Sequence, residues 1–155
     1  MTTKFKISIF FFFLSANLIL PTTMKAQVKA NDILGVWLNE DKDAHVQIEN
    51  KNGVYFGKII WLKLPIDDET KQPKLDKKNP NDELKKRPVM GLTLLSNFNF
   101  DGDDEWEGGE IYDPKSGNTY SCYMVFTDKT KKTLKVRGYI GISLIGRTTY
   151  WTKVE

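Results

Sequence analysis

From residue 34 onwards the chain is a series of short segments rich in β-branched and aromatic residues, separated by stretches of Gly, Asn, Asp, Pro and Lys. This alternation is typical of β-strands joined by turns. Eight strands are predicted, at residues 34–39, 44–50, 54–62, 92–100, 105–112, 119–127, 133–139 and 147–154. Because the strands are short and consecutive and most turns are tight, they favour an all-β, eight-stranded up-and-down antiparallel β-barrel; a two-sheet sandwich is the alternative.

The side chains of the predicted third strand alternate between its two faces, as in a strand with one face in a core. The residues that share one face are Tyr55, Gly57, Ile59 and Trp61. Gly57 and Gly138 both lie inside strands that are otherwise built from larger residues. Glycine inside a strand often marks a bulge or a sharp bend, and such bends allow a sheet to curl into a barrel.

One connection is much longer than the others. Residues 63–90, between the predicted third and fourth strands, are rich in Lys, Asp, Asn and Pro. A connection of this length in a compact domain usually serves a function or is disordered. Asn79-Pro80 is typical of a helix start, with a capping residue followed by proline, and we expect the helix to end before Pro88. The sequence therefore predicts a lid loop that carries a short helix.

The first 26 residues have the organisation of a secretory signal peptide. Lys4 and Lys6 form its basic part, residues 7–20 form its apolar part, and Ala26 is the small residue before the predicted cleavage site. A transmembrane anchor is the alternative, but the apolar run is shorter than the roughly 20 residues that cross a bilayer. The sequence therefore predicts an exported protein, periplasmic or extracellular, in which residues 27–155 form one barrel domain without a membrane span.

The apparent basicity of the chain belongs to the predicted signal peptide. The whole chain has 23 Lys and Arg residues against 20 Asp and Glu residues. Lys4, Lys6 and Lys25 lie in the first 26 residues and no acidic residue does, so the remainder is balanced at 20 against 20. A balanced chain gives no support for nucleic acid, or for an anionic membrane surface, as a partner of a basic face.

The sequence offers little for catalysis or metal binding. Its one histidine, His45, and its one cysteine, Cys122, lie far apart, so a zinc cluster is not indicated. A Ser-His-Asp site would have to use His45, and the sequence around no serine resembles a nucleophile elbow. Residues 101–105 resemble a calcium loop, but the sixth and twelfth positions are Trp106 and Tyr112 where such a loop needs Gly and Glu. A solvated acidic turn is preferred there. We expect Cys122 to be a small buried apolar residue rather than a reactive thiol, and we predict no catalytic residue, metal or cofactor.

Short motifs distributed along the chain form a recognisable combination. They are Gly35-Val36-Trp37, Gly57-Lys58-Ile59-Ile60-Trp61-Leu62, Asp76, Asn79-Pro80, Arg87-Pro88, Gly91, Trp106-Glu107-Gly108-Gly109, Ile111-Tyr112-Asp113-Pro114, Gly117, Tyr120, Val136-Arg137-Gly138-Tyr139, Gly146-Arg147 and Trp151. Together they resemble the bacterial domain-of-unknown-function 2147 family, whose members look like small exported lipocalin-type barrels. The resemblance covers nearly all of the chain after residue 26, and the family has no settled activity. It implies a lipocalin-like barrel in which Trp37 and Arg147 pack together, by a cation–π contact, and plug one end.

The lid provides one candidate site. Asp76, Asn79, Arg87 and either Tyr112 or Asp113 could converge at one mouth of the barrel. The Arg87 guanidinium has the fork geometry that binds a carboxylate or phosphate. The preferred interpretation is a structural clamp between an acid and an arginine that orders the loop over the barrel end, although a lid can also contact a ligand.

Aromatic residues on most strands either fill the barrel or line a ligand pocket, and an ordinary filled core is the preferred interpretation. The leading functional hypothesis is nevertheless a small, largely apolar ligand under the lid. The residues predicted to bind it are Trp61, Arg87, Trp106 and Tyr139. The alternatives are an interaction module for an envelope protein partner, with a solid barrel, and a hydrolase that uses a carboxylate pair.

Overall fold

The computed structural model of the protein describes residues 27–142 and 144–154, and the predicted signal peptide lies outside the described residues. The strands are β1 (Gly35–Leu38), β2 (Ala44–Lys51), β3 (Val54–Leu62), β4 (Thr93–Phe100), β5 (Glu105–Asp113), β6 (Asn118–Phe126), β7 (Thr133–Tyr139) and β8 (Gly146–Lys153). Each strand pairs antiparallel with the next, and β1 also pairs with β8 through Trp37 opposite Lys153. The predicted eight-stranded up-and-down antiparallel barrel is confirmed.

A short 3₁₀ helix ahead of β1 closes one end of the barrel. It spans Ala30–Ile33, ahead of β1, and Ile33 is fully buried. The indole N–H of Trp37 donates to the Ile33 carbonyl at 2.8 Å, and that of Trp106 donates to the Ala30 carbonyl at 3.1 Å. These two bonds satisfy the polar atoms of the two buried indoles and hold the helix across the end of the barrel.

The half of the barrel next to this closed end is packed solid. Its large buried side chains include Trp37, Tyr55, Phe98, Trp106 and Met124. Two glycines leave space for large side chains of this core. A Cβ on Gly109 would lie 2.4 Å from the ring of Phe98, and one on Gly57 would lie 2.7 Å from Leu95.

The cation over Trp37 is not the one that the family resemblance implied. The Nζ of Lys153 lies 5.4 Å from the centre of the Trp37 ring. Arg147 pairs with Gly138 at the other end of β8 and is exposed. The implied packing of Trp37 with Arg147 is therefore wrong, because the antiparallel register of β1 and β8 sets Trp37 opposite the last residue of β8 rather than near its start.

A bulge in β3 changes the direction of the side chains that follow it. His45 pairs with Trp61 and Val46 pairs with Ile59, so Ile60 is an extra residue without a partner on β2. An extra residue shifts the alternation by one. Leu62 therefore faces the interior, whereas Trp61 lies on the outside, 39% exposed, with its ring centre 4.5 Å from that of His45.

The long connection between β3 and β4 is ordered by two isolated β-bridges, Ile66 with Pro73 and Leu75 with Pro88. Its only helical segment in the described chain is the 3₁₀ helix Leu84–Lys86, which ends before Pro88 as predicted but begins later than Asn79-Pro80 indicated. The Asn79 side chain instead accepts a hydrogen bond from the Asn81 N–H at 2.9 Å, which makes a turn.

Candidate functional site

The end of the barrel opposite the 3₁₀ helix opens into a cavity of about 730 Å³. The loops that follow β1, β3, β5 and β7 all contribute to its rim. Its apolar wall is formed by Ala44, Val46, Ile59, Leu62, Leu94, Ile111 and Trp151. The barrel is therefore solid in one half and hollow in the other.

The wall of the cavity continues the buried core. Val46, Ile59 and Trp151 belong to both, and each is at most 3% exposed. Their strands supply alternate residues to the interior, so the same alternation that packs the closed half also lines the open half with apolar side chains. Tyr120 and Thr149 add two hydroxyl groups to the lining.

Some of the charged groups at the rim neutralise one another. The Nζ of Lys115 lies 3.0 Å from carboxylate oxygens of both Asp41 and Asp43. Hydrogen bonds to Asp41 and then to Asp43 raise the pKa of Lys115. Across the lid, a hydrogen bond from Lys77 at 2.8 Å lowers the pKa of Asp67. Lys115 and Lys77 are therefore ion-paired with acids of the rim.

Three other cations at the rim have no such partner. They are Lys63 after β3, Lys74 in the lid and Arg147 in β8, and all three line the cavity. Within the described residues, none of their side chains makes an ion pair or a hydrogen bond. Three cationic groups are thus available at the mouth.

The lid carries a clamp centred on a fully buried carboxylate, Asp76. One oxygen of Asp76 accepts from the Tyr112 hydroxyl at 2.6 Å. The other accepts from Asn79 at 2.8 Å and from Arg87, whose Nε lies at 2.9 Å and whose Nη2 lies at 2.8 Å. Desolvation, and next the hydrogen bond to Asp76, raise the pKa of Tyr112.

The clamp lies on the outer wall of the barrel rather than inside the cavity. On β5 Ile111 faces the cavity, so the hydroxyl of its neighbour Tyr112 points outward and meets the lid there, although Tyr112 also borders the cavity at the rim. A small groove of about 300 Å³ lies beside the clamp and is lined mostly by polar residues. Asp113 is not part of the clamp, because its carboxylate accepts from the Lys115 N–H at 2.9 Å and the Ser116 hydroxyl at 2.7 Å within the β5–β6 turn.

The four residues predicted to bind a ligand do not converge. Trp61 is turned outward by the bulge in β3, and Trp106 is buried at the closed end with its indole bound to Ala30. Arg87 is held by Asp76 in the clamp. Tyr139 lies outside the barrel, 6.3 Å from the Tyr123 ring, because the alternation in β7 turns Leu134 and Val136 inward.

The cavity residues that sequence reasoning missed are mainly aliphatic residues on β2 to β5. Leu62, Leu94 and Ile111 are examples. Strict alternation would have found neither Ile111 nor Leu62, because β5 has a register shift between Trp106 and Gly109 and β3 has its bulge at Ile60. Aliphatic side chains carry no chemical signature that separates a cavity wall from a packed core.

The remaining acidic groups form neither a metal site nor a calcium loop in the described residues. In the described part of the chain no three His, Cys, Asp or Glu residues are placed to hold a metal ion. Asp101 accepts hydrogen bonds from the N–H groups of Asp103, Asp104 and Glu105, which makes residues 101–105 an acidic turn. None of the helices among the described residues is long and apolar enough to span a bilayer.

A closed antiparallel barrel of eight strands, with a 3₁₀ helix across one end and a cavity at the other, is a lipocalin-like barrel. Residues 35–153 match the model of the family described as "Uncharacterized protein conserved in bacteria (DUF2147)", and the chain belongs to this family. The family resemblance noted in the sequence is confirmed.

One solved structure similar to this chain carries the description "Protein HP1028 from the human pathogen Helicobacter pylori belongs to the lipocalin family". The TM-score is 0.66 at 23% sequence identity, and the match covers 79% of this chain and 82% of that one. Identity at this level supports the fold alone. A comparison with curated proteins gave no match.

Proposed function

We propose that this protein is exported and binds a small, largely apolar molecule in the open half of its barrel. The observation that carries the proposal is the cavity of about 730 Å³ with its aliphatic wall. Cavities that bind small molecules typically measure roughly 300–1,000 Å³ and combine an apolar lining with a few polar groups. Tyr120 and Thr149 are polar groups of that kind.

The driving force for binding would be burial of apolar surface. Each Å² of apolar surface removed from water contributes about 25 cal/mol. A cavity that the packed half of the barrel already holds in shape requires little reordering when a ligand enters. The walls from β2, β3 and β8 belong to the core and are buried in the protein, which supports a preformed site.

The lid has two parts with different proposed roles. Leu64, Lys74 and Leu75 line the cavity, so residues 63–75 border the mouth. The clamp around Asp76 fixes the following residues to the outer wall. In this proposal Arg87 is a positioning residue that anchors the lid through Asp76 and does not contact the ligand.

Export is part of the proposal and rests on the N-terminal sequence. Lys4 and Lys6 precede the apolar residues 7–20, and Ala26 precedes the expected cleavage site. The proposed setting is therefore the periplasm or the extracellular space. Sequencing the N-terminus of the protein isolated from its host tests this part, and a chain that still begins at Met1 would contradict it.

Filling the cavity tests the binding site directly. Ala44 faces the cavity on β2, whereas Gln47 lies on the outer face of the same strand. We expect the neutral fluorophore N-phenyl-1-naphthylamine to bind the wild-type protein saturably. Ala44→Phe should weaken binding at least about tenfold, which corresponds to about 1.4 kcal/mol, while the matched control Gln47→Phe should bind as the wild type does.

Circular dichroism and thermal unfolding check that each variant is folded. If Ala44→Phe does not fold, Thr149→Phe fills the cavity from β8. A folded cavity-filling variant that binds the fluorophore as tightly as the wild-type protein would refute binding in the cavity.

A further inference from the structure

The large exposed apolar side chains of the described chain are concentrated at the open end of the barrel. The β7–β8 loop exposes Ile140, Ile142, Leu144 and Ile145, and the end of β3 and the start of the lid expose Trp61, Leu64 and Ile66. Leu144 is 84% exposed. By contrast, among the described residues no such side chain lies in the turns at the closed end, residues 51–54, 100–105 and 127–133.

These two apolar groups lie on opposite sides of the mouth. The strands β3 and β7 are four strands apart in a ring of eight, so the chain leaves the barrel at opposite points. Ile140, Ile145 and Leu64 also line the cavity. The apolar surface is therefore continuous from the outer tip of each group into the interior of the barrel.

The unpartnered cations lie at the same rim as these apolar groups. Lys63 adjoins Leu64, Arg147 follows the β7–β8 loop, and Lys74 borders the cavity from the lid. Exposed apolar side chains combined with Lys and Arg are typical of protein surfaces that enter the interface of a bilayer, where the cations meet lipid phosphates. The rim also carries acids, which are Glu40, Asp41, Asp43, Asp67 and Asp113, so the contacts offered to lipid phosphates come from these three unpartnered cations and not from a net positive charge.

We propose that the open end of the barrel docks on a bilayer that contains anionic phospholipids. The β7–β8 loop and the start of the lid enter the interface, and Lys63, Lys74 and Arg147 contact the phosphates. The mouth of the cavity then faces the lipid. This docking goes beyond ligand binding and does not depend on it, although it would let an apolar molecule pass between bilayer and barrel without crossing water.

The geometry favours a bilayer over a second copy of the chain. Two copies meeting mouth to mouth would place one hollow mouth against another, which would leave little apolar area in contact. A flat lipid surface contacts both apolar groups at once and supplies phosphates as partners for the three unpartnered cations.

Trp61 provides a built-in reporter of docking, because it is the exposed tryptophan at the open end while Trp37, Trp106 and Trp151 are buried. The protein in the form that its host accumulates is titrated with vesicles of phosphatidylethanolamine and phosphatidylglycerol at 3:1. We expect it to sediment with the vesicles. Brominated lipids should quench tryptophan fluorescence in the wild-type protein, and Trp61→Phe should abolish most of that quenching.

The double variant Ile142→Ser with Leu144→Ser should weaken vesicle binding at least tenfold. The control is Leu84→Ser with Tyr150→Ser, which removes exposed apolar side chains that lie outside the β7–β8 loop and the start of the lid. Both carry the same N-terminus, so any contribution from that segment cancels. Lys63→Glu with Arg147→Glu should remove the dependence of binding on phosphatidylglycerol.

Equal vesicle binding by the mouth variant and the control, or no sedimentation of the wild-type protein, would overturn the proposal. So would a concentration-dependent dimer that the mouth variant abolishes, because it would identify a second copy as the occupant. Fluorophore binding in the cavity, measured on the same variants, remains a separate readout, so a failure of docking is distinguishable from a failure of ligand binding.

Discussion

The carboxylate of Asp76 is fully buried. Its burial is compensated by hydrogen bonds from residues of the lid and of β5. Arg87 and Asn79 come from the lid, and Tyr112 comes from β5. Removing one partner of a buried ion pair destabilises the protein, because the remaining charge stays buried without compensation. The sequence indicated these residues as a clamp or a site, and the geometry shows each of them bound to Asp76.

The first prediction at this scale concerns Tyr112 at high pH. Because desolvation and Asp76 raise its pKa, the folded state holds the phenol proton more tightly than the unfolded state does. This contribution to stability is complete below the unfolded pKa of about 10 and is lost as the pH rises above it. Between pH 9 and 11.5 the wild-type protein should therefore lose stability more steeply than Tyr112→Phe.

Thermal unfolding across this pH range measures the difference, because the lysines of both proteins titrate alike. At pH 7, Tyr112→Phe should be less stable by about 1–2 kcal/mol, since Asp76 and Asn79 each lose a hydrogen-bond partner. Parallel curves for the two proteins would show that Tyr112 does not titrate differently on unfolding.

The second prediction concerns the thiol of Cys122, which is buried in β6. Desolvation raises its pKa to about 12, so the reactive thiolate is scarce at neutral pH. We expect native protein to resist iodoacetamide at pH 8 and urea-unfolded protein to be alkylated at once. Mass spectrometry measures the extent of alkylation. Rapid alkylation of the folded protein would contradict the buried position of the sulfur.

Among the elements, the lid is the one whose position depends most on contacts far away in the sequence. Its backbone passes so close to the β5–β6 turn that a Cβ on Gly117 would lie less than 2 Å from the Lys78 carbonyl oxygen. Gly117 also has a φ of +78°, a conformation that other residues adopt only at a cost. The lid is therefore seated on this turn as well as on the clamp.

A matched pair of variants separates the two effects at Gly117. Gly53 in the β2–β3 turn has a φ of +88°, but a Cβ there would have nothing within 4 Å. Gly53→Ala should cost about 1–2 kcal/mol in the free energy of unfolding from backbone strain alone. Gly117→Ala should cost about 1–3 kcal/mol more, because the lid must also move. Urea unfolding measures both, and equal costs would mean that the lid does not rest on the turn.

Two short features explain where element predictions from sequence failed. The bulge at Ile60 moves Trp61 to the outside, and nothing in the alternating pattern of β3 marks an extra residue at that point. The 3₁₀ helix Ala30–Ile33 precedes the region where the strand pattern begins, and its fit depends on the distant indoles of Trp37 and Trp106. Local pattern encodes the strands, whereas these features depend on contacts that form only in the folded barrel.

At the scale of the whole molecule, the barrel joins a solid half to a hollow half. The order of its strands was predictable from sequence because each pairs with its neighbour along the chain. The location of the hollow half was not. Trp106 is a large aromatic residue on an inner face, like those expected in a pocket, yet it packs the closed end, while smaller residues such as Ala44 and Ile111 border the cavity.

Native mass spectrometry of the protein purified gently from its host tests ligand binding in this cavity most directly. Ala44→Phe, expressed and purified in the same way, is the comparison. We predict a discrete excess mass on the wild-type protein that is released on denaturation and is reduced or absent in Ala44→Phe. A wild-type protein with only the mass of its own chain, or an equal excess mass on the folded variant, would contradict binding in the cavity.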